Sequence, residues 1–363
     1  MLLKGAKILD GNYRFTFKDI LVVDGKIDQV YLPGEGDHED FDIVDLSGKT
    51  ILPGLVDTHI HGAGGVDTMD ADFEPVAAFL AKHGVTSFLP TTMTASLEDI
   101  YHVLNTRTDV KGAQILGFHL EGPYINPDYK GAQNPDFIKE PEWEDFMSFN
   151  NIKMLTIAPE LQGAMEYIKK ASQKFVVALG HTDCDYSTAV EAIRCGANSV
   201  THLFNAMRPL RHREPGLIGA AGENKIYAQI ISDGIHIHPA VVYLAYQIFG
   251  PSRLVLISDA MRATGLEDGT YDLGGLTITV SGGVARTESG NLAGSTATLW
   301  DCVKRAASFG IPFEDAVRMA SLTPAKMIGA DTKGVLSVGK DADLFVVDDD
   351  KNICYTMIAG CFQ

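Results

Sequence analysis

At 363 residues the chain is long enough for one large domain and a minor one, and its 45% hydrophobic and 21% charged residues are those of a globular protein. A formal net charge of -17 disfavours nucleic acid and anionic membrane as partners and obliges any anionic substrate to find a local cation. The five cysteines (Cys184, Cys195, Cys302, Cys354 and Cys361) form no C-x-x-C pair, residues 1–10 hold no signal-like apolar stretch, and no run approaches a membrane span, so reduced thiols and a cytoplasmic location are expected.

The chain opens with strand signals. Ile20-Leu21-Val22-Val23, the turn Asp24-Gly25 and Lys26-Ile27-Asp28-Gln29-Val30 read as a hairpin. The other end reads alike, with Leu344-Phe345-Val346-Val347 and then Cys354-Tyr355-Thr356-Met357-Ile358. Neither end makes a stable sheet alone. A small β-sandwich built from both termini, residues 1–53 and 326–363, is therefore expected. Between them, over 54–325, short apolar strands alternate with amphipathic helices. Strands are expected near 52–59, 86–91, 114–120, 153–158, 176–180, 199–202, 227–232 and 254–258. Helices are expected at 73–83, 186–195, 239–249, 297–308 and 313–320. Eight such units predict an α/β fold, a (β/α)8 TIM-type barrel. A doubly wound open sheet is the alternative, lowered by the lack of a G-x-G-x-x-G after the first barrel strand. Residues 261–294 form an unusually long connection, with Thr277-Ile278-Thr279-Val280, Ser281-Gly282-Gly283 and Val284-Ala285-Arg286-Thr287 predicting a hairpin on the active face.

Residues two apart on a strand face the same side, so His59 and His61 aim at one point. Later strand ends add Glu121, His181, His202, Asp233 with His236, and Asp259. In a barrel all these ends meet on one face. Nitrogen and oxygen donors in such a set suit a divalent metal, zinc first and iron or manganese next. A single His in such a place is ordinarily a satisfied core or surface residue. Six candidate ligands, His59, His61, Glu121, His181, His202 and Asp259, arriving at strand ends together are not explained that way. His38, His83, His102, His212 and His238 lie off the strand ends and read as structural, as does His119.

The set His59-Ile60-His61, His181, His202 and Asp259 resembles the metal set of the amidohydrolase superfamily. Further segments narrow the resemblance to the branch that deacetylates phosphorylated amino sugars. They are His119-Leu120-Glu121-Gly122-Pro123, Gly131-Ala132-Gln133-Asn134-Pro135, Thr201-His202-Leu203-Phe204-Asn205-Ala206-Met207, Arg213-Glu214-Pro215-Gly216, Asp233-Gly234-Ile235-His236 and Leu292-Ala293-Gly294-Ser295. The resemblance implies that Glu121, His181 and His202 hold one metal and that His59 and His61 hold a second, giving one or two divalent ions per subunit. It implies Asp259 as metal neighbour and catalytic acid/base. Arg213 and His236 match groups that grip the substrate phosphate, in a homodimer. Ala132, Gln133, Asn205, Ala206, Asp233, Leu292, Ala293 and Gly294 match other substrate contacts. Some relatives carry His at the place of Gln133. If that side chain polarises the acetyl carbonyl, a neutral amide does it here.

The implied reaction is hydrolysis of an acetamido group on a phosphorylated sugar. The metal makes water a nucleophile at neutral pH. Asp259 takes the proton and returns it to the departing amine. Superfamily members that use a carboxylated Lys need one at a strand end. None stands there, Lys153 lying at the start of the fourth strand, so Glu121 fills that place. The sugar epimer stays open, gluco or galacto. Rival readings are another superfamily hydrolase, dihydroorotase-like or deaminase-like, and a barrel that binds metal without catalysis.

Overall fold

The computed structural model describes residues 1–36 and 41–363; His38 lies outside them. Eight parallel strands follow one another in chain order: Leu55–Ile60, Val85–Thr92, Phe118–Glu121, Ile152–Ile157, Val176–Leu179, Ser199–Val200, Ala228–Ile231 and Leu254–Ile257. The first pairs with the second, and parallel ladders run from the second to the sixth. The seventh pairs with the eighth. Backbone bonds complete the ring. Leu203 N donates to Gln229 O at 2.7 Å and Val200 N to Tyr227 O at 3.0 Å, joining sixth to seventh. Asp259 N donates to His59 O at 2.9 Å and His61 N to Ala260 O at 2.8 Å, joining eighth to first. The sheet is the (β/α)8 barrel expected from the alternation of elements. Both faces of its strands are buried, and the seventh and eighth, Ala228–Ile231 and Leu254–Ile257, are mostly apolar.

The helices start where capping chemistry lets them. Asp185 accepts from Thr188 N ahead of Tyr186–Arg194, and Thr298 and Asp301 form a capping box ahead of Leu299–Ser308. Pro opens Pro239–Phe249 at the position where its missing N–H costs nothing.

Two expected strands are broken. The apolar run near 52–59 is two strands, Thr50–Pro53 and Leu55–Ile60, separated at Gly54. A Cβ at Gly54 would stand 2.1 Å from Thr86 Oγ1, so only glycine lets the chain pass between sheets there. The run near 114–120 divides into Gln114–Ile115 and Phe118–Glu121 around Gly117, whose φ is +139°. The long connection after the eighth strand holds three antiparallel strands rather than two: Gly269–Leu273, Leu276–Ser281 and Val284–Thr287.

Both ends of the chain share sheets beside the barrel. One sheet orders Cys361–Phe362, Ile353–Ile358, Leu344–Val347, Thr50–Pro53, Lys7–Leu9 and Phe15–Phe17. The other holds Lys26–Tyr31, Asp19–Val23, Leu2–Lys4 and Ile43–Asp45. Ile8, Ile20, Ile27, Ile51, Leu344 and Val346 fill the space between them. The expected hairpin at Asp24-Gly25 is present.

A buried ion pair within the C-terminal part of this layer reaches the barrel through Gln114, on the short strand beside the second barrel strand. Lys333 Nζ lies 2.6 Å from Asp343 Oδ2 and 3.0 Å from Asp341 Oδ2, and it also donates to Gln114. Burial pushes the Asp343 carboxyl up, and Lys333 counters it. Lys333→Met strands that carboxyl without its cation and is expected to cost about 3–5 kcal/mol. The measurement is the shift of the urea unfolding midpoint; an unshifted midpoint removes the pair as a tie.

Candidate metal centre and active site

Six side chains from five strand ends meet at one point, all buried. Glu121 Oε1 stands 3.0 Å from His202 Nε2 and 3.2 Å from His181 Nε2. The two imidazoles face each other at 3.0 Å through Nε2. Beside them His59 Nε2 and His61 Nε2 lie 3.3 Å apart, with Asp259 Oδ1 at 3.6 and 3.3 Å. Glu121 touches this second set too, Oε1 at 3.3 Å from His59 and Oε2 at 3.2 Å from His61. The donors form two triads, Glu121–His181–His202 and His59–His61–Asp259, in each of which the ligand atoms lie within 4.8 Å of one another.

Local backbone geometry aims these groups. His181, His202 and Asp259 follow the ends of their strands with φ of +48°, +26° and +48°. Non-glycine residues rarely sit in this region, and such strain gathers at functional sites. The turn swings each side chain inward. Asp259 is pinned at both ends, by its own N–H to His59 O and by Ser295 N to its O at 2.7 Å.

The hydrogen-bond partners of the rings test whether a cation fits. His181 Nδ1 lies 2.9 Å from Tyr129 O, His61 Nδ1 3.1 Å from Thr91 O, and His59 Nδ1 3.3 Å from Gln229 Oε1. Carbonyl oxygens only accept, so each Nδ1 carries the hydrogen. In the neutral ring that leaves the Nε2 lone pair pointing at the centre. Outer partners that fix the tautomer in this way accompany metal-ligating histidines. Burial opposes charge on His61, Glu121 and Asp259. Even so, Asp259 and Glu121 lift His61 well above the usual imidazole range. The imidazoles, His59 first, hold Glu121 well below the usual carboxylate range and bring Asp259 down to about 2. The centre demands positive charge, and a divalent cation fits it.

Beneath the cluster the barrel carries buried polar side chains. Burial pushes Asp57 up to about 6, and its Oδ2 accepts from Ser258 Oγ at 2.5 Å, tying the first strand to the eighth. His119 lies on the same inner side, bonded through Nε2 to Thr156 Oγ1 at 2.8 Å, with its ring edge-on to His59. Burial holds it well below the usual imidazole range. It supports the cluster from below.

Above the cluster opens a cavity of about 360 Å3. His61, Glu121, His181, His202 and Asp259 form its floor; Ala132, Gln133, Asn205, Ala206, His236, Leu292 and Gly294 line its walls. His59 lies behind the floor. Asp233 lies behind His236 and accepts from its Nδ1 at 2.7 Å. Burial opposes charge on both, yet the pair raises His236 and lowers Asp233. Ala293 is fully buried in the packing under the hairpin. Arg213 is exposed and does not line the cavity of its own chain. The walls also include Met93, Asp128, Tyr129, Leu273 and Asn291, which sequence reasoning did not single out. Asp128 and Tyr129 follow the third strand, so the rule that barrel sites are built from the loops after each strand was the available signal. His83, His102, His212 and His238 lie away from the cavity.

A parallel (β/α)8 barrel with two three-ligand nitrogen and oxygen sets at its strand ends defines a metal-dependent barrel hydrolase. The model of the Amidohydrolase family matches residues 50–361, and the chain belongs to that family. It is similar to an N-acetylglucosamine-6-phosphate deacetylase of Bacillus subtilis (strain 168), 37% identical over 99% of this chain and 96% of the relative. At the same 37% identity, over 88% of this chain and 89% of the relative, it is also similar to an N-acetylgalactosamine-6-phosphate deacetylase of Escherichia coli O157:H7. Among solved structures it resembles a variant N-acetyl-D-glucosamine-6-phosphate deacetylase of Mycobacterium smegmatis in complex with N-acetyl-D-glucosamine-6-phosphate. The TM-score is 0.93 and the identity 35%, over 100% of this chain and 98% of that one. Among the described residues no helix is long and apolar enough to cross a membrane.

Proposed function

We propose that the protein hydrolyses the acetamido group of N-acetyl-D-glucosamine 6-phosphate to D-glucosamine 6-phosphate and acetate. The observation that carries this reading is Asp259, a buried carboxylate on the cavity floor, 3.3 Å from His61 and a member of one of the two ligand triads. Glu121, His181 and His202 would hold one divalent ion, and His59 and His61 with Asp259 a second; zinc is the first choice and iron or manganese the next. Such an ion supplies a Lewis acid that activates water and polarises an amide carbonyl.

The remaining work falls to this chain's side chains. Asp259, held ionised, takes a proton from the attacking water. It returns that proton to the nitrogen, which cannot depart as an amide anion. Asn205, Ala206, Ala132 and the Leu292–Gly294 stretch shape the wall that receives the sugar. Asp233 fixes the ring of His236 through Nδ1, which leaves Nε2 for the substrate. Arg213 lies outside the cavity of its own chain, so as a phosphate ligand it serves a second copy in a homodimer. Every residue named here lies within 54–325, the barrel domain of this reading; 1–53 and 326–363 form the companion β-sandwich. The five free cysteines accord with a cytoplasmic location.

The galacto epimer is the second reading, favoured by the equal identity to the Escherichia coli relative. The test is acetate release from both epimeric 6-phosphates and from unphosphorylated N-acetylglucosamine. The gluco 6-phosphate is expected to give the highest kcat/KM; a higher value for the galacto compound reverses the assignment. In the same assay Arg213→Ala is expected to raise KM for the phosphorylated sugar about 10- to 100-fold, the worth of a hydrogen bond to a charged group. KM for the unphosphorylated sugar is expected to stay put. Equal effects on both sugars remove Arg213 from phosphate recognition.

A further inference from the structure

We propose that Gln133 is a positioning residue that clamps the metal-ligand carboxylate Glu121, rather than a donor to the substrate carbonyl. Its side chain is buried and both ends of its amide are engaged within the protein. Nε2 donates to Glu121 Oε2 at 2.6 Å. Oε1 accepts from Thr94 N at 2.7 Å. Nε2 also faces Met93 Sδ at 3.9 Å, a weak acceptor. A short bond to an ionised acceptor is the stronger kind.

Thr94 makes the clamp two-sided. It follows the second barrel strand, and its Oγ1 donates to Glu121 O at 3.3 Å. Glu121 is thus held at its backbone by Thr94 and at its carboxylate by Gln133, which Thr94 itself orients. The close approach needs Gly122 (φ +83°), since a Cβ there would stand 2.1 Å from Thr94 Oγ1.

The consequence lies in how Glu121 divides its two oxygens. Oε1 faces His181 and His202 at 3.2 and 3.0 Å. Oε2 is tied by Gln133. The clamp therefore presents Oε1 to the His181–His202 pair and fixes the rotation of the carboxylate, with Oε2 held between Gln133 and His61, 3.2 Å away. Groups that orient a metal ligand in this way typically govern affinity by about 10- to 100-fold. A substrate donor would leave affinity untouched and act on turnover alone.

This inference rests on the reading of Glu121 as a metal ligand, and the experiment separates the two. Zinc dissociation constants are measured by competition with a chromophoric chelator for wild type, Gln133→Leu and Gln133→Glu, with melting of the metal-free proteins as the folding control. Gln133→Leu removes both bonds; Gln133→Glu keeps the acceptor for Thr94 N but loses the donor to Glu121. Both are expected to bind zinc about 10- to 100-fold more weakly, with the cobalt(II) absorption spectrum of each changed from wild type. Gln133→His, which keeps a ring N–H, is expected to recover part of the loss. Wild-type affinity and an unchanged cobalt spectrum in both first variants, with kcat reduced, overturn the clamp and return Gln133 to the substrate. A wild-type protein that binds no zinc, iron or manganese overturns the ligand reading itself, and the clamp with it.

Discussion

Asp259→Asn is expected to lower kcat about 10²- to 10⁴-fold, the usual worth of a positioned general acid–base. The substitution is nearly isosteric. Asp259 is fixed through its main chain, by His59 O and Ser295 N, and Asn tolerates its left-handed backbone. The fold and the Glu121–His181–His202 triad should therefore persist. What disappears is a group, held down to about 2 by the neighbouring imidazoles against the effect of burial, that can accept and return a proton. Acetate release, metal content and melting temperature, measured on one preparation, separate chemistry from folding. Undiminished turnover would remove Asp259 from the reaction.

Stripping the metal is expected to have an effect at least as large. Six buried donors converge with three imidazole lone pairs directed inward by Tyr129 O, Thr91 O and Gln229 Oε1. Losing the cation there forfeits several kcal/mol of charge stabilisation in the transition state, about 10³-fold or more in rate. It also removes a ligand of the native state, worth about 4 kcal/mol at a thousand times the dissociation constant. Dialysis against a strong chelator should abolish turnover and lower the melting temperature together, and zinc should restore both. Full activity in protein shown by elemental analysis to be metal-free would refute the reading.

All six residues of the buried cluster were legible in the chain because strand geometry is periodic. His59 and His61 stand two apart at the end of an apolar run, and Glu121, His181, His202 and Asp259 each close another such run. Elements that depend on close approach were not legible. Nothing in the hydropathy of residues 52–59 marks the break at Gly54, which exists because Thr86 leaves no room for a Cβ. The third strand of the hairpin region, Gly269–Leu273, has alternating burial with only Tyr271 and Leu273 apolar, too sparse a signal to read. Gln133 sits in a loop without period, and its partner, Glu121, is defined only once the third strand and that loop are folded together. Arg213 shows the converse. A segment can carry a family signature and still lie outside the cavity of its own chain.

The strand Leu344–Val347 lies between Thr50–Pro53 and Ile353–Ile358, so a late segment completes a sheet begun by an early one. While a ribosome is making the barrel, Thr50–Pro53 has its partner Lys7–Leu9 on one side and a bare row of peptide groups on the other. Such an edge, carrying Ile51 and Leu52, is what strand-on-strand aggregation seeks. The nascent chain therefore carries this open edge until Leu344–Val347 emerges, and over that interval a holding chaperone has a target.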